Sequence, residues 1–167
     1  MIPARILLLC LCLTACGFRP LYNTSGSQGE KSSVFLSSIQ IDDIPDRSGV
    51  ILKNELIDRF HAHGAGIPRY RLVVGRVTES ISDLDITVDE DATRRQLRVD
   101  TTYTLQDLTT PSSPAFKRSI YAVASFNVLQ SRFTTRVAED NARQNVILDL
   151  ARQIEQGVMM SDVEKGR

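Results

Sequence analysis

The sequence is poor in the residue types that most often carry out chemistry. Of its 167 residues none is tryptophan, 2 are histidine and 3 are cysteine. It contains no P-loop, no dinucleotide fingerprint and no Gly-Xaa-Ser-Xaa-Gly nucleophile motif. No serine, aspartate or arginine is accompanied by a potential general base at the sequence spacing of a catalytic motif. The sequence therefore predicts a protein that is not an enzyme, with no catalytic residues and no cofactor.

An excess of charge and a membrane-spanning run are also absent. The 20 basic and 20 acidic side chains balance, so no basic footprint for nucleic acid is present. No apolar run reaches the roughly 20 residues that a membrane-spanning helix requires. With 42% hydrophobic and 24% charged residues, the composition is that of a folded chain. The length suits a single domain.

The first sixteen residues have the pattern of an export signal. Arg5 is followed by the unbroken apolar run Ile6–Leu13, which is long enough for a signal-peptide core and too short for a membrane span. The sequence Leu13-Thr14-Ala15-Cys16 follows and resembles the bacterial lipobox. This resemblance implies that residues 1–15 are removed and that Cys16 becomes an acylated N-terminus. The alternative is an ordinary secretory signal followed by a chance cysteine.

The cysteines support the lipoprotein interpretation. Cys10 and Cys12 lie in the predicted signal peptide, so the mature chain keeps only Cys16 and has no thiol for a disulfide or a zinc site. Acyl chains on Cys16 would be its only covalent addition and would hold the protein on a membrane. Resemblance to lipoproteins of double-membraned bacteria implies that aspartate at the next position causes retention in the inner membrane. Gly17 therefore favours the outer membrane.

The rest of the chain predicts one α+β domain. Residues 16–33 form the lipidated N-terminus and a small polar tether, in which Phe18, Leu21 and Tyr22 either contact lipid or a partner, or pack on their own domain. Residues 34–158 form the domain, and residues 159–167 a frayed tail. The predicted elements are a strand over Val34–Ile41, a helix from Ser48 to about His63, strands over Tyr70–Ile81, Gln96–Leu108 and Phe116–Val128, and a helix from Thr134 or Thr135 to Val158.

The order of these elements predicts the architecture. Gln96–Leu108 alternates strictly between apolar and polar residues, which indicates a strand with one buried and one wet face. Three successive strands with short connections favour an antiparallel meander. The predicted fold is therefore β-α-β-β-β-α, a four-stranded, mostly antiparallel sheet with two helices on one face and a polar opposite face.

The chain resembles the lipopolysaccharide-assembly lipoprotein family LptE in its alphaproteobacterial form. The resemblance is carried by the start Cys16-Gly-Phe-Arg-Pro-Leu-Tyr22, by Ile44-Pro-Asp-Arg47 before a helix, and by the order of elements. It implies an outer-membrane lipoprotein on the periplasmic side that plugs the barrel LptD and supports its assembly. The pair moves lipopolysaccharide to the outer leaflet, and the lipid itself is a possible direct ligand. A polar outer face suits the wet lumen of a wide barrel.

Three arginines are candidate contacts for lipopolysaccharide. Arg94, Arg95 and Arg98 stand at the start of the third predicted strand, and arginine forks bind phosphate bidentately. The alternative is a solvated turn balanced by Asp89, Glu90 and Asp91.

Two groups that could suggest a metal site are better explained otherwise. Asp83, Asp85, Asp89 and Asp91 lack the third ligand and the glycine that a calcium loop requires near Thr87 and Val88. His61 and His63 are two residues apart and do not face each other on a helix. No metal site is predicted.

Two other functions remain open at the level of sequence. The chain could be a different periplasmic adaptor lipoprotein, such as an auxiliary subunit of a lipid transporter or a secretin pilot. It could also be an anchored hydrolase that has no recognisable motif. The adaptor would co-purify with its own partner, and the hydrolase would lose activity through a single polar substitution.

Overall fold

The computed structural model describes residues 27–62, 64–86, 92–110, 114–129 and 131–165. Contacts divide the chain into two compact units, residues 1–32 and 33–167. The predicted signal peptide and Cys16 lie outside the described residues. The elements are α1 (Ser27–Ser37), β1 (Ile39–Ile41), α2 (Asp46–Phe60), β2 (Tyr70–Val74), β3 (Thr78–Ile86), β4 (Ala92–Asp107), β5 (Phe116–Asn127) and α3 (Arg132–Lys165).

The long strand β4 is the centre of the sheet. Strand β5 pairs with it antiparallel, with Arg94 opposite Asn127 and Leu105 opposite Phe116. The other edge of β4 pairs antiparallel with β3 and then with β2. Strand β1 pairs parallel with β2, as a crossover through a helix requires. The predicted α+β fold with a mostly antiparallel sheet is confirmed.

Strands β2 and β3 occupy the place of the single strand predicted over Tyr70–Ile81. The chain leaves the ladder at residues 75–77, where the amide of Gly75 donates to the carbonyl of Thr102 at 2.8 Å. The Thr101 hydroxyl donates to the Gly75 carbonyl at 3.1 Å. A side chain at Gly75 would lie 3.2 Å from the Thr102 oxygen, so β4 approaches the break closely. The predicted four strands are thus present, with one of them interrupted.

The core lies between one face of the sheet and the helices. The predicted inward parity of β4 is confirmed, because Leu97, Val99, Thr101, Tyr103 and Leu105 are all buried. Along α3 the apolar residues that repeat every four positions are also buried, namely Ala142, Val146, Leu150, Ile154 and Val158. Leu52, Leu56 and Phe60 of α2 complete the core. Arg59 of α2 pairs with Glu55 at 2.8 Å and with Glu155 of α3 at 3.3 Å, which links the two helices.

The prediction of a strand over Val34–Ile41 is wrong for its first half. Residues up to Ser37 are helical, and the strand covers only Ile39–Ile41. Phe35, Leu36 and Ile39 are all buried, and their i, i+1, i+4 spacing fits a helix as well as the predicted alternation fits a strand. The Ser37 and Ser38 hydroxyls donate to carbonyls three residues back, at 2.9 and 2.7 Å, where the helix ends. The polar stretch predicted as a flexible tether is likewise helical from Ser27 onward.

The start of α2 also differs from the prediction. The helix begins at Asp46 after Pro45, which makes no side-chain cap. Asp46 has a left-handed φ of 70°, a conformation that aspartate tolerates better than most residues. Ser48, the predicted start of the helix, lies inside it and donates to the Glu79 carboxylate at 2.6 Å. The helix ends at Phe60 rather than near His63, and Gly64 after it has a left-handed φ of 99°.

Helix α3 is longer than predicted at both ends. It runs from Arg132 to Lys165, so residues 159–165 of the predicted frayed tail are helical. The buried Ser161 hydroxyl donates to the carbonyl of Val158 at 2.7 Å, which satisfies it within the helix. After Val158 the sequence no longer has apolar residues at every fourth position. The hydrophobic periodicity therefore did not predict that the helix continues.

Candidate functional site

The sheet has one face that no described element covers, called here the open face. It carries the outward residues of β3, β4 and β5, and it is polar along β4 as predicted. The Thr102 hydroxyl hydrogen-bonds to the Ser119 hydroxyl across β4 and β5 at 2.9 Å. The outward members of β4 and their β5 partners are Gln96, Arg98, Asp100, Thr102, Thr104, Lys117, Ser119, Tyr121, Val123 and Ser125.

A charged and aromatic cluster lies within the open face. The Arg98 guanidinium donates to both carboxylate oxygens of Asp100, at 2.8 to 3.2 Å, and stacks 4.0 Å from the centre of the Tyr121 ring. The hydrogen bond from Arg98 lowers the pKa of the Asp100 carboxyl and, reciprocally, that bond raises the pKa of Arg98. Both groups therefore stay ionised at neutral pH, and Arg98 is engaged within the chain itself.

The structure does not bring the three predicted arginines together. Arg98 lies on the open face, and alternation along β4 places Arg94 on the same face. Arg95 has the opposite parity, the same as Leu97, and lies on the helix side. It pairs with Asp83 at 2.8 Å. The missed signal was the period of two, which assigns adjacent strand residues to opposite faces.

A cavity of about 880 Å³ opens on the helix side, called here the arginine cavity. It lies where the start of α2 and the first half of α3 meet β3, β4 and the end of β5. Five arginines line it together with three acids, and Ile51, Leu129 and Ile147 contribute apolar surface. The arginines are Arg47, Arg95, Arg132, Arg136 and Arg143, and the acids are Glu79, Glu139 and Asp140.

Arg143 organises the acids of this cavity. Its guanidinium donates to Glu79 at 2.9 Å, Glu139 at 2.8 Å and Asp140 at 2.8 Å. Burial raises the pKa of the Glu79 carboxyl, but hydrogen bonds from Ser48 and Arg143 outweigh it, and the net pKa lies below its ordinary value. The hydrogen bonds to Glu79 and Glu139 raise the pKa of Arg143. The cluster ties α2, β3 and α3 together as fixed charges.

The residues that could have suggested a metal have other contacts where they are described. Asp83 is paired with Arg95, and a ring nitrogen of His61 lies 3.1 Å from the carbonyl oxygen of Ile39. Asp89, Asp91 and His63 lie outside the described residues. Among the helices of the described residues, none has the length and apolar character needed to cross a membrane.

Comparison with known proteins identifies the family. The model of the lipopolysaccharide-assembly family LptE matches residues 34–158, which is most of the chain. The chain belongs to the LptE family. This confirms the predicted family, a lipopolysaccharide-assembly lipoprotein family that is not a family of enzymes. A comparison with curated proteins found no match.

Solved structures show the same fold as this LptE-family chain. A candidate lipoprotein from Caulobacter crescentus CB15 is 20% identical, with a TM-score of 0.60 over 81% of this chain and 97% of its own. The rare lipoprotein B from Shewanella oneidensis is 11% identical, with a TM-score of 0.61 over 78% and 98%. A minor lipoprotein from Acinetobacter baumannii is 20% identical, with a TM-score of 0.55 over 75% and 93%. At these identities the likeness concerns the fold alone.

Proposed function

We propose that this protein is an outer-membrane lipoprotein that plugs the lumen of an LptD-like β-barrel, supports its assembly and acts with it in moving lipopolysaccharide to the outer leaflet. The open face is the observation that carries this proposal. It is a broad sheet surface of hydroxyl, amide and paired charged groups, suited to the wet wall of a wide barrel. The helices occupy the other face, so the open face is the side that meets the barrel.

The proposal includes a lipid anchor on the periplasmic side of the outer membrane. Mass spectrometry of the protein purified from membranes is expected to show a chain that begins at Cys16 and carries acyl groups. The physical reason is that two or more acyl chains give stable membrane attachment, whereas one gives only marginal, reversible binding. A Cys16→Ser variant is the matched control and should accumulate with its leader uncleaved. A mature chain with an unmodified Cys16 would overturn the anchor.

Co-purification tests the barrel partner. The full chain, captured from detergent-solubilised outer membrane, is expected to bring down one large barrel protein in a fixed ratio. If an inner-membrane lipid transporter or a secretin is captured instead, the protein is an adaptor of a different machine and the proposal is wrong. Capture of no large barrel protein would also contradict it.

A pair of matched variants tests the side of contact. Thr102→Arg places a long charged side chain in the middle of the open face, where its burial against a partner is costly. The expected result is a loss of about tenfold or more in the captured barrel, as for a central interface residue. Asn54→Arg introduces the same side chain on the exposed surface of α2 and should leave capture unchanged. Equal capture by both variants would contradict the assignment of the open face.

Direct contact with lipopolysaccharide through Arg94, Arg95 and Arg98 stays part of the proposal. The position of Arg95 on the helix side and of Arg94 and Arg98 on the open face means that one bound lipid headgroup would not meet all three from a single face. Arg94, which has no ion pair within the described residues, is the freest of the three to bind a phosphate.

A further inference from the structure

Within the described residues the sheet has three edge strands, β1, β3 and β5, and two of them are protected. Strand β1 has only 3 residues, and a ring nitrogen of His61 lies 3.1 Å from its Ile39 carbonyl oxygen. Strand β3 loses its regular register with β4 between Asp83 and Ile86, and it carries three acidic residues. Short length, irregular register and charge are means by which proteins keep edge strands from pairing with other chains.

Strand β5 lacks all of these protections. Its 12 residues, Phe116–Asn127, pair with β4 without a shift in register. The strand contains no proline and no acidic residue. No other strand of the described ranges pairs with its second edge. A long and regular edge of this kind is a template for an added strand.

Two hydrogen bonds show which backbone groups of β5 face its free edge. The Thr102 carbonyl accepts from the Gly75 amide on the opposite side of β4, so Thr102 and its β5 partner Ser119 form a non-hydrogen-bonded pair. Gln153 of α3 donates to the Tyr121 carbonyl at 3.1 Å, which agrees with this assignment and is the one side-chain cap on this edge among the described residues. By alternation, the backbone groups that face outward belong to Lys117, Ser119, Tyr121, Val123, Ser125 and Asn127.

The side chains of these outward residues indicate the chemistry of an added strand. They belong to the open face and are exposed, so a strand added to β5 would extend that face. They are uncharged except for Lys117, which has no ion pair within the described residues. Because opposite charges on neighbouring strands stabilise their pairing, an added strand with an acidic residue beside Lys117 fits this edge best.

A second copy of the chain fits the edge less well. In the antiparallel arrangement that overlaps the whole of β5, Lys117 would lie opposite Asn127 of the second copy. Asn127 is in turn the β4 partner of Arg94, which also lacks an ion pair within the described residues. Uncompensated cations would therefore approach each other at both ends of the pair, which opposes dimer formation.

We propose that the free edge of β5 binds an extended segment of the barrel partner by strand addition, and that this segment carries an acidic residue beside Lys117. The inference rests on the proposed function, because the segment belongs to the barrel. The strands of a closed barrel have no free edge, so the segment is a loop or a chain end that enters the lumen. Main-chain hydrogen bonds supply the affinity, and the side chains of the open face supply the specificity.

Hydrogen exchange tests the pairing directly. It compares the full chain in non-ionic detergent, alone and in the captured barrel complex. We expect the outward amides of Ser119, Tyr121, Val123 and Ser125 to exchange at least about tenfold more slowly in the complex. The amides along the free edge of β3 are the internal control and should change less.

Proline variants separate backbone pairing from side-chain contact. Val123→Pro removes one outward amide and leaves the ladder with β4 in place, because the Val123 amide does not bond to β4. We expect it to lower the captured barrel about tenfold or more. Val123→Thr is the matched control, since it keeps the amide, and it should leave capture unchanged. Ser125→Pro against Ser125→Thr repeats the comparison nearer the end of the strand, in case Val123→Pro lowers the melting temperature.

Reversal of one charge tests the chemistry of the segment. Lys117→Glu is expected to lower the captured barrel about fivefold, because like charges would then face each other across two strands. Lys117→Arg keeps the charge and should leave capture unchanged. Equal capture by Lys117→Glu and the native chain would overturn the acidic residue.

The outcomes separate this inference from the proposed function. Slower exchange of the outward amides together with the loss in Val123→Pro supports strand addition. Unchanged exchange in a complex that forms normally, or equal capture by the proline and threonine variants, overturns it and leaves the proposed function intact. Protection of the same amides without the barrel, with a dimer in sedimentation, identifies a second copy as the occupant and also overturns it. If the native chain captures no barrel, the proposed function fails and this inference fails with it.

Discussion

Replacing Gly157 with alanine is expected to lower the free energy of unfolding by about 1–3 kcal/mol, the usual cost of overpacking a core. A methyl group at this position would lie 2.0 Å from the hydroxyl oxygen of Tyr103, far inside van der Waals contact. Tyr103 is fully buried at the centre of β4, so its ring has little room to move. In a helix without such a contact, changing glycine to alanine would raise the free energy of unfolding by about 1 kcal/mol. The sign of the measured change therefore distinguishes the steric contact with Tyr103 from an effect of helix propensity.

The hydroxyl of Tyr103 makes the test specific. This buried oxygen has no hydrogen-bond partner of good geometry, and burial raises the pKa of its phenol while the nearby Arg118 charge partly offsets the rise. Tyr103→Phe should therefore be neutral or stabilise by up to about 1 kcal/mol, because an unsatisfied buried group is removed. With the hydroxyl gone, the nearest atoms to the new methyl would lie at 3.3 and 3.4 Å.

Urea denaturation of the two single variants and the double variant measures this coupling. The double variant should recover most of the loss, so the two changes are strongly non-additive. Gln156→Ala, at the exposed neighbouring position, controls for helix propensity and should change stability by less than about 0.5 kcal/mol. If Gly157→Ala is neutral, or if its cost stays the same in the Tyr103→Phe background, the contact described here is wrong.

Periodicity predicted the long elements well because each of them buries a complete face. Leu97, Val99, Tyr103 and Leu105 repeat at the strand period over the whole of β4, and a shift by one residue would expose all of them. Helix α3 repeats its buried residues every four positions over five turns, which no strand would satisfy. For such segments the hydrophobic pattern decides both the type of element and the direction of its buried face.

Short segments and special contacts were not predictable in the same way. Phe35 and Leu36 precede Ile39 too closely for the pattern to separate a helix from a strand, and the choice depends on their packing in the fold. The contact between Gly157 and Tyr103 joins residues distant in the sequence and depends on the packing of α3 on β4. The interruption between β2 and β3 depends on the close approach of Gly75 to Thr102.

The candidate sites were likewise predictable from the sequence only in part. Alternation along β4 would have separated Arg95 from Arg94 and Arg98, and it indicates the open face directly. The spacing of Arg132 and Arg136 by one helical turn is also visible in the sequence. Their meeting with Arg47 at one cavity is not, because it requires the first turns of two helices to lie at the same end of the sheet.

Replacing Arg143 with methionine is expected to cost about 2 kcal/mol of stability at neutral pH, after allowance for solvent screening of partly exposed groups. The guanidinium is the shared partner of Glu79, Glu139 and Asp140, and its side chain is 25% exposed. Methionine keeps the length of the stem but leaves these acids without their cation. Arg152→Met is the control on the same helix, with a single exposed acid partner, and should cost less than about 0.5 kcal/mol.

The cost of losing Arg143 should depend on pH in a direction fixed by Glu79. In the native chain the pKa of Glu79 lies below its ordinary value of 4.5, so its contribution to stability is present above that pH and is lost as the pH falls through the lowered pKa. Without Arg143, burial is the largest effect on the pKa of Glu79 and is opposed only by the hydrogen bond from Ser48, so the pKa rises and protonation at low pH relieves the unpaired charge. Urea denaturation at pH 7 and pH 4 should therefore show a larger gap between Arg143→Met and the native chain at pH 7. A gap that is the same at both pH values would mean that the three ion pairs do not stabilise the junction of α2, β3 and α3.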